Sequence, residues 1–510
     1  MRFSVTKSLN TQMKVALMGC ALWLQSCDAL WGPFGRQNPN NCVVSSAGCA
    51  TDEVCDLPSQ ICVSALRIDR VVPAVGSSRG GTTMTLRGQR FSDGAKVFVD
   101  DQPARDVVFV SSEELRFTLP PSTAGRWRVP VAVENPSQHR SERRDVFAYY
   151  AETLTFESRA IAVAGLPIGA ASGDWNGDHA LDLAVISLPS AGVQIFWGDG
   201  SGGFSSGNSV TVGSAQMATQ HILTLDGNRD GASDLVVAAG GSLTLLYGDG
   251  QGGFPSRRVL YTAAIGHNLR ALAAGDSDGD GRDDVVISDA AADDLSADVV
   301  LLRSGEDGLF SSRSVIDSGT PAKTLAIADL TGDARGDVLV GLANTRLTLW
   351  RNEGGQAWTR VDQPISGCSS EGAAVGDLNR DSRPDLLLRC DTTLRPLLNA
   401  GNAVFTPLPD LPPSTLVSPT LALADFNGDG RLDAGMGRGA GGGDSQVVGF
   451  LGDGAGGFGD AQEIARYSAV MLNVGHVLHT ADWDGDGKMD VLSLSTAGTP
   501  PCRLLLNRSR

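Results

Sequence analysis

The sequence predicts an all-β protein whose larger part repeats about every fifty residues, and three observations support this prediction. A nine-residue pattern with aspartate at positions 1, 5 and 9 occurs seven times, starting at Asp174, Asp226, Asp276, Asp329, Asp377, Asp425 and Asp482. Each copy (loops 1 to 7, in chain order) stands between short apolar runs such as Leu325–Ala328 and Val338–Val340, which are typical of hairpin strands. The 63 glycines among 510 residues suit a chain that is dense in turns.

The loops have the chemistry of a calcium site. Ca²⁺ takes six to eight oxygen ligands, and glycine at positions 4 and 6, as in Gly428 and Gly430, permits the positive φ of a tight turn. Empty loops would hold carboxylates that repel one another by roughly 4 kcal/mol per pair at about 4 Å and an effective dielectric near 20. The alternative for any single copy is an acidic turn without metal. The loops are not EF-hands, because position 12 lacks glutamate and the flanks are not helical.

We therefore predict up to seven structural Ca²⁺ ions, each held by positions 1, 3, 5 and 9 of one loop, with a backbone carbonyl at position 7. The predicted ligands are Asp174, Asn176, Asp178 and Asp182; Asp226, Asn228, Asp230 and Asp234; Asp276, Asp278, Asp280 and Asp284; Asp329, Thr331, Asp333 and Asp337; Asp377, Asn379, Asp381 and Asp385; Asp425, Asn427, Asp429 and Asp433; and Asp482, Asp484, Asp486 and Asp490.

The formal net charge of −17 argues against a nucleic-acid partner. The predicted ligand positions of the seven loops hold 23 of the 58 acidic residues: three aspartates in each loop, plus Asp278 and Asp484 at position 3. We therefore attribute the charge to metal sites rather than to a solvated acidic face. No catalytic cluster emerges from the sequence.

Residues 1–27 are predicted to be a secretory signal. Lys14 precedes an apolar run, Val15–Leu24, which is too short to span a bilayer. The run ends in Leu24-Gln25-Ser26-Cys27, which resembles a bacterial lipobox and makes Cys27 the predicted lipidated residue. The alternatives are plain secretion, or a lipobox at Leu17-Met18-Gly19-Cys20. We expect an exported protein, lipid-anchored to the bacterial envelope at the outer membrane, on its periplasmic face or at the cell surface.

Residues 28–65 are predicted to be a tether followed by a cysteine-rich segment. Four closely spaced cysteines in an exported protein indicate two disulfides with three possible connectivities, whereas zinc is the rival interpretation; they are Cys42, Cys49, Cys55 and Cys62. Cys368 and Cys390 flank loop 5 about equally on hairpin strands, which predicts a further disulfide. Cys502 is expected to be unpaired and buried in a strand.

Residues 66–150 lack the aspartate pattern and contain β-branched runs. Ile68–Pro73 followed by Gly80–Phe91 resembles the opening of an IPT/TIG domain, and Leu115–Pro120 and Val129–Val133 fit its later strands. The resemblance implies an immunoglobulin-like β-sandwich that acts as a spacer or interaction module.

Residues 152–510 resemble the FG-GAP/VCBS repeat family, the calcium-loop β-propellers of the integrin α-subunit type. The resemblance implies four-stranded blades around an axis, and seven cycles imply seven blades. Two departures are expected to weaken individual repeats: Thr331 at position 3 of loop 4, and a poor second strand at Ala434–Met436. The last cycle lacks a fourth strand, which Leu154–Ser158 is predicted to supply.

The leading functional prediction is a non-enzymatic envelope lipoprotein, a calcium-stabilised propeller that serves as a binding or adhesion platform. Its partner would be an unidentified protein or glycan at the envelope, with the lipid anchor in the membrane. Two alternatives are a propeller enzyme acting on polysaccharide, as a lyase or hydrolase, and a passive surface spacer. A fold alone does not separate these functions.

Overall fold

The computed structural model describes residues 53–56, 61–122, 128–137, 139–189, 192–212, 221–239, 241–305, 308–342, 347–355, 357–363, 372–390, 393–411, 416–441, 444–467, 476–495 and 500–509. Within these ranges every regular element is a strand, numbered β1 to β40 in chain order below. Nothing in the same ranges forms a helix with the length and apolarity that a membrane span requires. The chain divides into two compact units, the smaller built mainly around residues 81–120 and 130–147 and the larger mainly from residue 148 onward.

The cysteine-rich segment contains one described hairpin. Strands β1 (Glu53–Asp56) and β2 (Ile61–Ser64) pair antiparallel, and their register places Cys55 directly opposite Cys62. Cys42 and Cys49 lie outside the described residues, so the pairing of the four cysteines stays a prediction.

The region predicted to be a sandwich forms two four-stranded sheets and a short parallel pair. One sheet has the order β3-β5-β9-β8, the other has the order β11-β10-β6-β7, and β4 pairs with β12. Alternate side chains are buried along the strands, among them Met84, Leu86, Val97 and Val99, as expected where one face of each sheet meets a core. The strands are β3 (Arg67–Val72), β4 (Val75–Ser77), β5 (Thr83–Gln89), β6 (Lys96–Val99), β7 (Gln102–Pro103), β8 (Arg105–Ser111), β9 (Glu114–Thr118), β10 (Val131–Glu134), β11 (Arg140–Arg143) and β12 (Ala148–Tyr150).

The repeat region forms seven four-stranded antiparallel sheets in the described residues, numbered by the loop each contains. Sheet 1 comprises β14 (Leu166–Gly173), β15 (Asp182–Leu188), β16 (Gly192–Gly198) and β17 (Phe204–Thr211); sheet 2, β18 (His221–Leu225), β19 (Asp234–Ala239), β20 (Ser242–Tyr247) and β21 (Ser256–Thr262); sheet 3, β22 (His267–Gly275), β23 (Asp284–Ala291), β24 (Ala297–Arg303) and β25 (Ser312–Ser318); sheet 4, β26 (Ala322–Ala328), β27 (Asp337–Leu342), β28 (Leu347–Gly354) and β29 (Ala357–Gln363). Sheet 5 comprises β30 (Ala373–Gly376), β31 (Asp385–Cys390), β32 (Thr393–Asn399) and β33 (Phe405–Pro407); sheet 6, β34 (Leu416–Ala424), β35 (Asp433–Gly441), β36 (Asp444–Gly452) and β37 (Phe458–Tyr467); sheet 7, β38 (His476–Ala481), β39 (Asp490–Ser495), β40 (Cys502–Asn507) and β13 (Phe156–Ala160).

Sheet 7 takes its fourth strand from the other end of the repeat region. β13 pairs antiparallel with β40, with Phe156 opposite Asn507 and Ala160 opposite Arg503. This pairing confirms the prediction that the segment around Leu154–Ser158 completes the last sheet.

Among the described residues, seven hydrophobic clusters lie between neighbouring sheets and connect them in a closed cycle. One cluster joins Leu183 and Phe196 of sheet 1 to Leu492 and Leu504 of sheet 7, and six others join each remaining neighbouring pair. The first strands of the sheets lie beside one another in the same cyclic order, including β14 beside β38. An antiparallel sheet has two faces to bury, and a cycle gives each sheet a neighbour on both, so this is the arrangement of a β-propeller.

Three buried asparagines also form hydrogen bonds between neighbouring sheets. Asn399, at the end of β32, donates from Nδ2 to the carbonyl of Leu330 in loop 4 at 2.8 Å, and Asn507 donates to the carbonyl of Phe426 in loop 6 at 2.7 Å. Asn352 makes the corresponding bond to Ser277 in loop 3. Each of these three asparagines is buried, and each bond joins the third strand of one sheet to the loop of the preceding sheet.

Candidate metal centres

The seven loops share one backbone geometry although their sequences differ. The residues at positions 4 and 6 have positive φ in all seven, from 59° at Arg229 to 85° at Gly231 and Gly332. This confirms the predicted turn, and it holds even where glycine is absent, because His179, Ala334 and both such positions of loop 5 also adopt it.

Position 1 and position 5 carboxylates are fixed by backbone N–H groups inside each loop. In every loop the N–H of position 6 donates to Oδ2 of position 1, as from His179 to Asp174 at 2.9 Å. In every loop the N–H of position 7 donates to Oδ1 of position 5, as from Ala180 to Asp178 at 2.8 Å. Carboxylates held in this way on one small turn form a preorganised oxygen-rich site.

Position 9 ties each loop to the third strand of its own sheet. Asp182 accepts from the N–H of Trp175 at position 2 through Oδ2, and from the N–H of Gly198 at the end of β16 through Oδ1, both at 3.0 Å. The same two bonds recur in the other six loops, and every position 9 side chain is at most 1% exposed. The sequence pattern predicts only a metal-ligand role for these aspartates, and their contact with an ion stays a prediction.

Burial raises the pKa of the position 9 carboxyls, because a low-dielectric environment disfavours the ionised form. The pKa of Asp234 and Asp284 rises to about 6, and that of Asp433 and Asp490 to about 7. Nearby loop carboxylates raise these pKa values further, whereas the backbone N–H bonds lower them. A cation bound beside these groups would lower their pKa and favour the ionised form.

Loop 7 gives the clearest test of whether the residues fit a cation. Ligand oxygens of Asp482, Asp484 and Asp490 all lie within 4.8 Å of one another, as do those of Asp276, Asp278 and Asp280 in loop 3. Oδ1 of Asp484 is buried and has no hydrogen-bond partner among the described residues. A buried carboxylate oxygen without a donor is costly, so the donor set fits a hard divalent ion. When bound, Ca²⁺ would supply positive charge to this oxygen cluster.

Other predicted site residues have mixed outcomes. Cys27 lies outside the described residues, so its lipidation stays a prediction. Cys390 is disulfide-bonded, but Cys368 lies outside the described residues and the pairing of these two cysteines also stays a prediction. Cys502 is a free, fully buried thiol on β40, which confirms that expectation.

Two histidine clusters were missed because their members lie far apart in sequence. His479 Nε2 lies 2.8 Å from Ser172 Oγ, and burial lowers the pKa of His479 to about 4. Asp289 accepts from the hydroxyl of Tyr261 at 2.5 Å and lies 2.9 Å from Nδ1 of His267. Among the described contacts His479 has no acidic partner, and the hydroxyl of Tyr261 bonds to Asp289 rather than to His267, so neither cluster has the order of a catalytic triad.

Among the described residues, two polar clefts share Asp249; one is lined by residues of sheets 1 and 2, and the other by residues of sheet 2. The first, of about 430 Å³, is lined by Asn176, Trp197, Asn208, Asp249, Gln251, Gly252 and Gly253. The second, of about 460 Å³, is lined by Asn228, Asp230, Tyr247, Gly248, Asp249, Pro255 and Ser256. Trp197 and Tyr247 occupy the same repeat position. Each immediately precedes the residue, Gly198 or Gly248, whose N–H donates to the position 9 aspartate of its sheet. The corresponding residues in sheets 3 to 7 are arginine or leucine, so the aromatic clefts belong to sheets 1 and 2.

Comparison with known proteins finds two families. The IPT/TIG domain matches residues 66–149, and the FG-GAP-like repeat matches residues 174–237, 226–287, 329–388 and 377–435. No curated protein sequence matches the chain. Among solved structures, the chain resembles an Agrocybe aegerita lectin described as recognising non-reducing terminal N-acetylglucosamine, at 15% identity and a TM-score of 0.44 over 81% of this chain and 100% of the lectin.

It also resembles an auxiliary nutrient binding protein from Bacteroides ovatus, at 11% identity and a TM-score of 0.36 over 87% of this chain and 98% of that protein. The matched sequence families coincide with the described strands and loops: the sandwich sheets fall within residues 66–149, and loops 1 to 6 fall within the repeat matches. The chain is therefore an FG-GAP repeat protein that carries an IPT/TIG domain.

Proposed function

We propose that this protein is a calcium-stabilised, non-enzymatic binding module of the bacterial cell envelope, in which each of the seven sheets is one blade of a seven-bladed propeller. The observation that carries the proposal is the repeated loop geometry, in which backbone N–H groups fix the carboxylates of positions 1 and 5 in the same way in all seven loops. Up to seven Ca²⁺ ions would hold the loops rigid. The lipobox-like sequence at Cys27 supports anchoring to the membrane, and the partner would then lie at the envelope.

The two clefts that share Asp249 favour a glycan as the partner. Trp197 offers an indole, Asn208 and Gln251 are exposed amides, and the described bonds to the side chain of Asp249 within its turn go to Oδ1. Such groups suit a sugar, because hydroxyls bond to amides and carboxylates while the apolar sugar face packs on an aromatic ring. Gly252 keeps the cleft open, since a Cβ there would lie 2.9 Å from Cη2 of Trp197. Adjacent aromatic clefts that share Asp249 would suit neighbouring units of one oligosaccharide.

The test is a glycan-binding screen of the mature chain with calcium present, together with Trp197→Ala and Leu451→Ala variants. Leu451 is the matched control, because it holds the corresponding position in sheet 6. We expect a subset of glycans to bind, Trp197→Ala to weaken that binding at least about tenfold, and Leu451→Ala to leave it unchanged. Absence of glycan binding, or equal loss in both variants, would contradict this partner class. Release of reducing ends or unsaturated sugars would show an enzyme instead.

A further inference from the structure

Arg508, the residue after β40, joins loop 7 to the strand that completes sheet 7. Its Nη1 lies 2.5 Å from Oδ2 of Asp484 and 3.7 Å from Oδ2 of Asp486, at positions 3 and 5 of the loop. Its Nε lies 3.2 Å from Oε2 of Glu157 on β13. One guanidinium therefore contacts two candidate metal ligands and the closing strand at the same time.

The backbone around Arg508 is fixed on both sides. The N–H of Arg508 donates to the carbonyl of Thr155 at 2.7 Å, and the N–H of Thr155 donates to Oγ of Ser509 at 2.9 Å. The buried ammonium of Lys488, at position 7 of loop 7, donates to the carbonyl of Ser509 at 2.9 Å. The backbone that carries Arg508 is consequently fixed, so forming the bridge orders only the Arg508 side chain and its partners.

Asp484 divides its two oxygens between the arginine and the candidate ion site. Its side chain is 7% exposed, Oδ2 accepts from Arg508, and Oδ1 is the buried oxygen without a described partner. Outer groups that hold a ligand in position tune the affinity of a metal site, commonly by ten- to a hundredfold. Arg508 is placed to act in this way on Asp484.

Loop 3 offers an internal comparison. Position 3 is aspartate only in loops 3 and 7, and in both an arginine from outside the loop approaches it: Arg303 lies 4.0 Å from Asp278, and Arg508 lies 2.5 Å from Asp484. An extra carboxylate is thus accompanied by an extra cation. Arg303 belongs to the same sheet as its loop, whereas Arg508 also reaches β13, whose residues precede loop 1 in the chain.

We infer that Arg508 is a positioning residue that couples ion binding at loop 7 to the attachment of β13, an inference that rests on the proposed binding of calcium. Calcium on Asp484 fixes the carboxylate, the carboxylate fixes the guanidinium, and the guanidinium holds Glu157. Such coupling is reciprocal, so an attached β13 also strengthens ion binding at loop 7.

Amide hydrogen exchange of residues 156–160, with and without calcium, tests the coupling in the full mature chain. We expect calcium to slow exchange there about tenfold, and Arg508→Gln to abolish most of that effect. Arg159→Gln is the matched control, because Arg159 pairs with Glu157 at 2.9 Å and has no described contact with loop 7. It should retain the calcium effect. Arg508→Lys keeps the charge but loses the fork that spans both carboxylates, and should behave like Arg508→Gln.

Calorimetric titration with Ca²⁺ separates the two ways in which the experiment can fail. If the wild-type chain binds no calcium, the proposed function itself is wrong. If it binds calcium but Arg508→Gln keeps the calcium-dependent protection of β13, the coupling is wrong and the proposed function stands. The same conclusion follows if Arg159→Gln abolishes the effect as fully as Arg508→Gln does, because Glu157 pairing would then be sufficient.

Discussion

Five loop residues other than glycine hold the left-handed backbone conformation, namely His179, Arg229, Ala334, Arg380 and Ser382. A side chain in this conformation costs roughly 1–2 kcal/mol, whereas glycine costs about 0.5–1 kcal/mol through its greater freedom in the unfolded chain. These loops therefore carry a small conformational strain that the surrounding hydrogen bonds offset. Loop 5 carries two such residues and, by this measure, is the most strained of the seven.

We predict that Ser382→Gly increases the free energy of unfolding by up to about 1 kcal/mol, because it relieves this strain. Gly485→Ala in loop 7 is the opposite change and should decrease the free energy by about 1 kcal/mol, since a Cβ there meets nothing closer than 3.8 Å and only the backbone conformation matters. Urea unfolding at saturating calcium measures both. A less stable Ser382→Gly variant would show that its side chain makes a compensating contact.

The positive φ at positions 4 and 6 was predictable, because it follows from the turn itself. The second role of position 9 was not. Its Oδ1 accepts from a residue 14 to 20 positions further along the chain, as Asp385 does from Asn399 and Asp284 from Ser304. The sequence pattern marks where the loop begins and ends but not which residue ends the third strand.

Among the structural elements, the loops of one sheet and the third strands of the next act as a pair. Asn399 illustrates the connection: Nδ2 bonds to the carbonyls of Leu330 and Pro384, and Oδ1 accepts from the N–H of Gly401. The side chain is 1% exposed, so water cannot replace these bonds. Neighbouring sheets are therefore held by polar contacts at the loop end as well as by their apolar clusters.

We predict that Asn399→Ala lowers the free energy of unfolding by about 3 kcal/mol, because it removes three hydrogen bonds that each contribute about 0.5–1.5 kcal/mol. Thr406→Ala, at an exposed position on β33 of the same sheet, is the control and should change stability by less than about 0.5 kcal/mol. Denaturant unfolding of both variants checks this. Equal effects would mean that the bridge contributes nothing specific.

Strand β35 shows where element prediction fails. Ala434–Met436 looked too weak to form a good strand, yet β35 runs from Asp433 to Gly441 and Met436 is fully buried. Phe426, at position 2 of loop 6, supplies the missing bulk, since its ring would lie 3.5 Å from a Cβ on Gly435. Because the ring of Phe426 comes from the loop and not from the strand, residues 434–436 alone do not predict how well β35 is packed.

At the scale of the whole molecule, stability depends on whether the position 9 carboxyls are ionised. Position 9 carboxyls whose pKa lies at about 6 to 7 in the metal-free fold, against 3.8 in the unfolded chain, favour folding while protonated. That stabilisation is complete below about pH 4 and is lost as pH rises through 6 to 7. Calcium acts in the opposite direction, because it binds the ionised loops.

We predict that the increase in Tm caused by calcium is small at pH 5 and grows steadily to pH 8. At ten times the dissociation constant each site would contribute roughly 1.4 kcal/mol, or about 10 kcal/mol for seven sites. Thermal melting with calcium and with chelator at pH 5, 6, 7 and 8 measures the difference, with magnesium as the control ion because it demands stricter octahedral geometry. A calcium effect that is absent, or constant across this range, would contradict the prediction.

The repeat count and the origin of the last strand were predictable from the sequence, because seven loops and one missing strand are properties of the chain order. The cleft beside Trp197 was not, because it depends on which sheets become neighbours. The cleft beside Tyr247 and the bridge at Arg508 were not either, because each depends on how separate segments of one sheet come together. The partner could not be predicted from the sequence either, because the surfaces that would bind it are assembled from segments that lie far apart in the chain.

The pairing of β13 with β40 also imposes an order on biosynthesis. Asn507 is synthesised 351 residues after Phe156, its partner. Until then, sheet 7 lacks its third strand and β13 has no edge to join. Bringing together ends this far apart costs about 5 kcal/mol of chain entropy, which only the preassembled stack of earlier sheets can reduce. The nascent chain therefore grows as an open arc with two unsatisfied edges, and it becomes a closed body only when the last strand arrives.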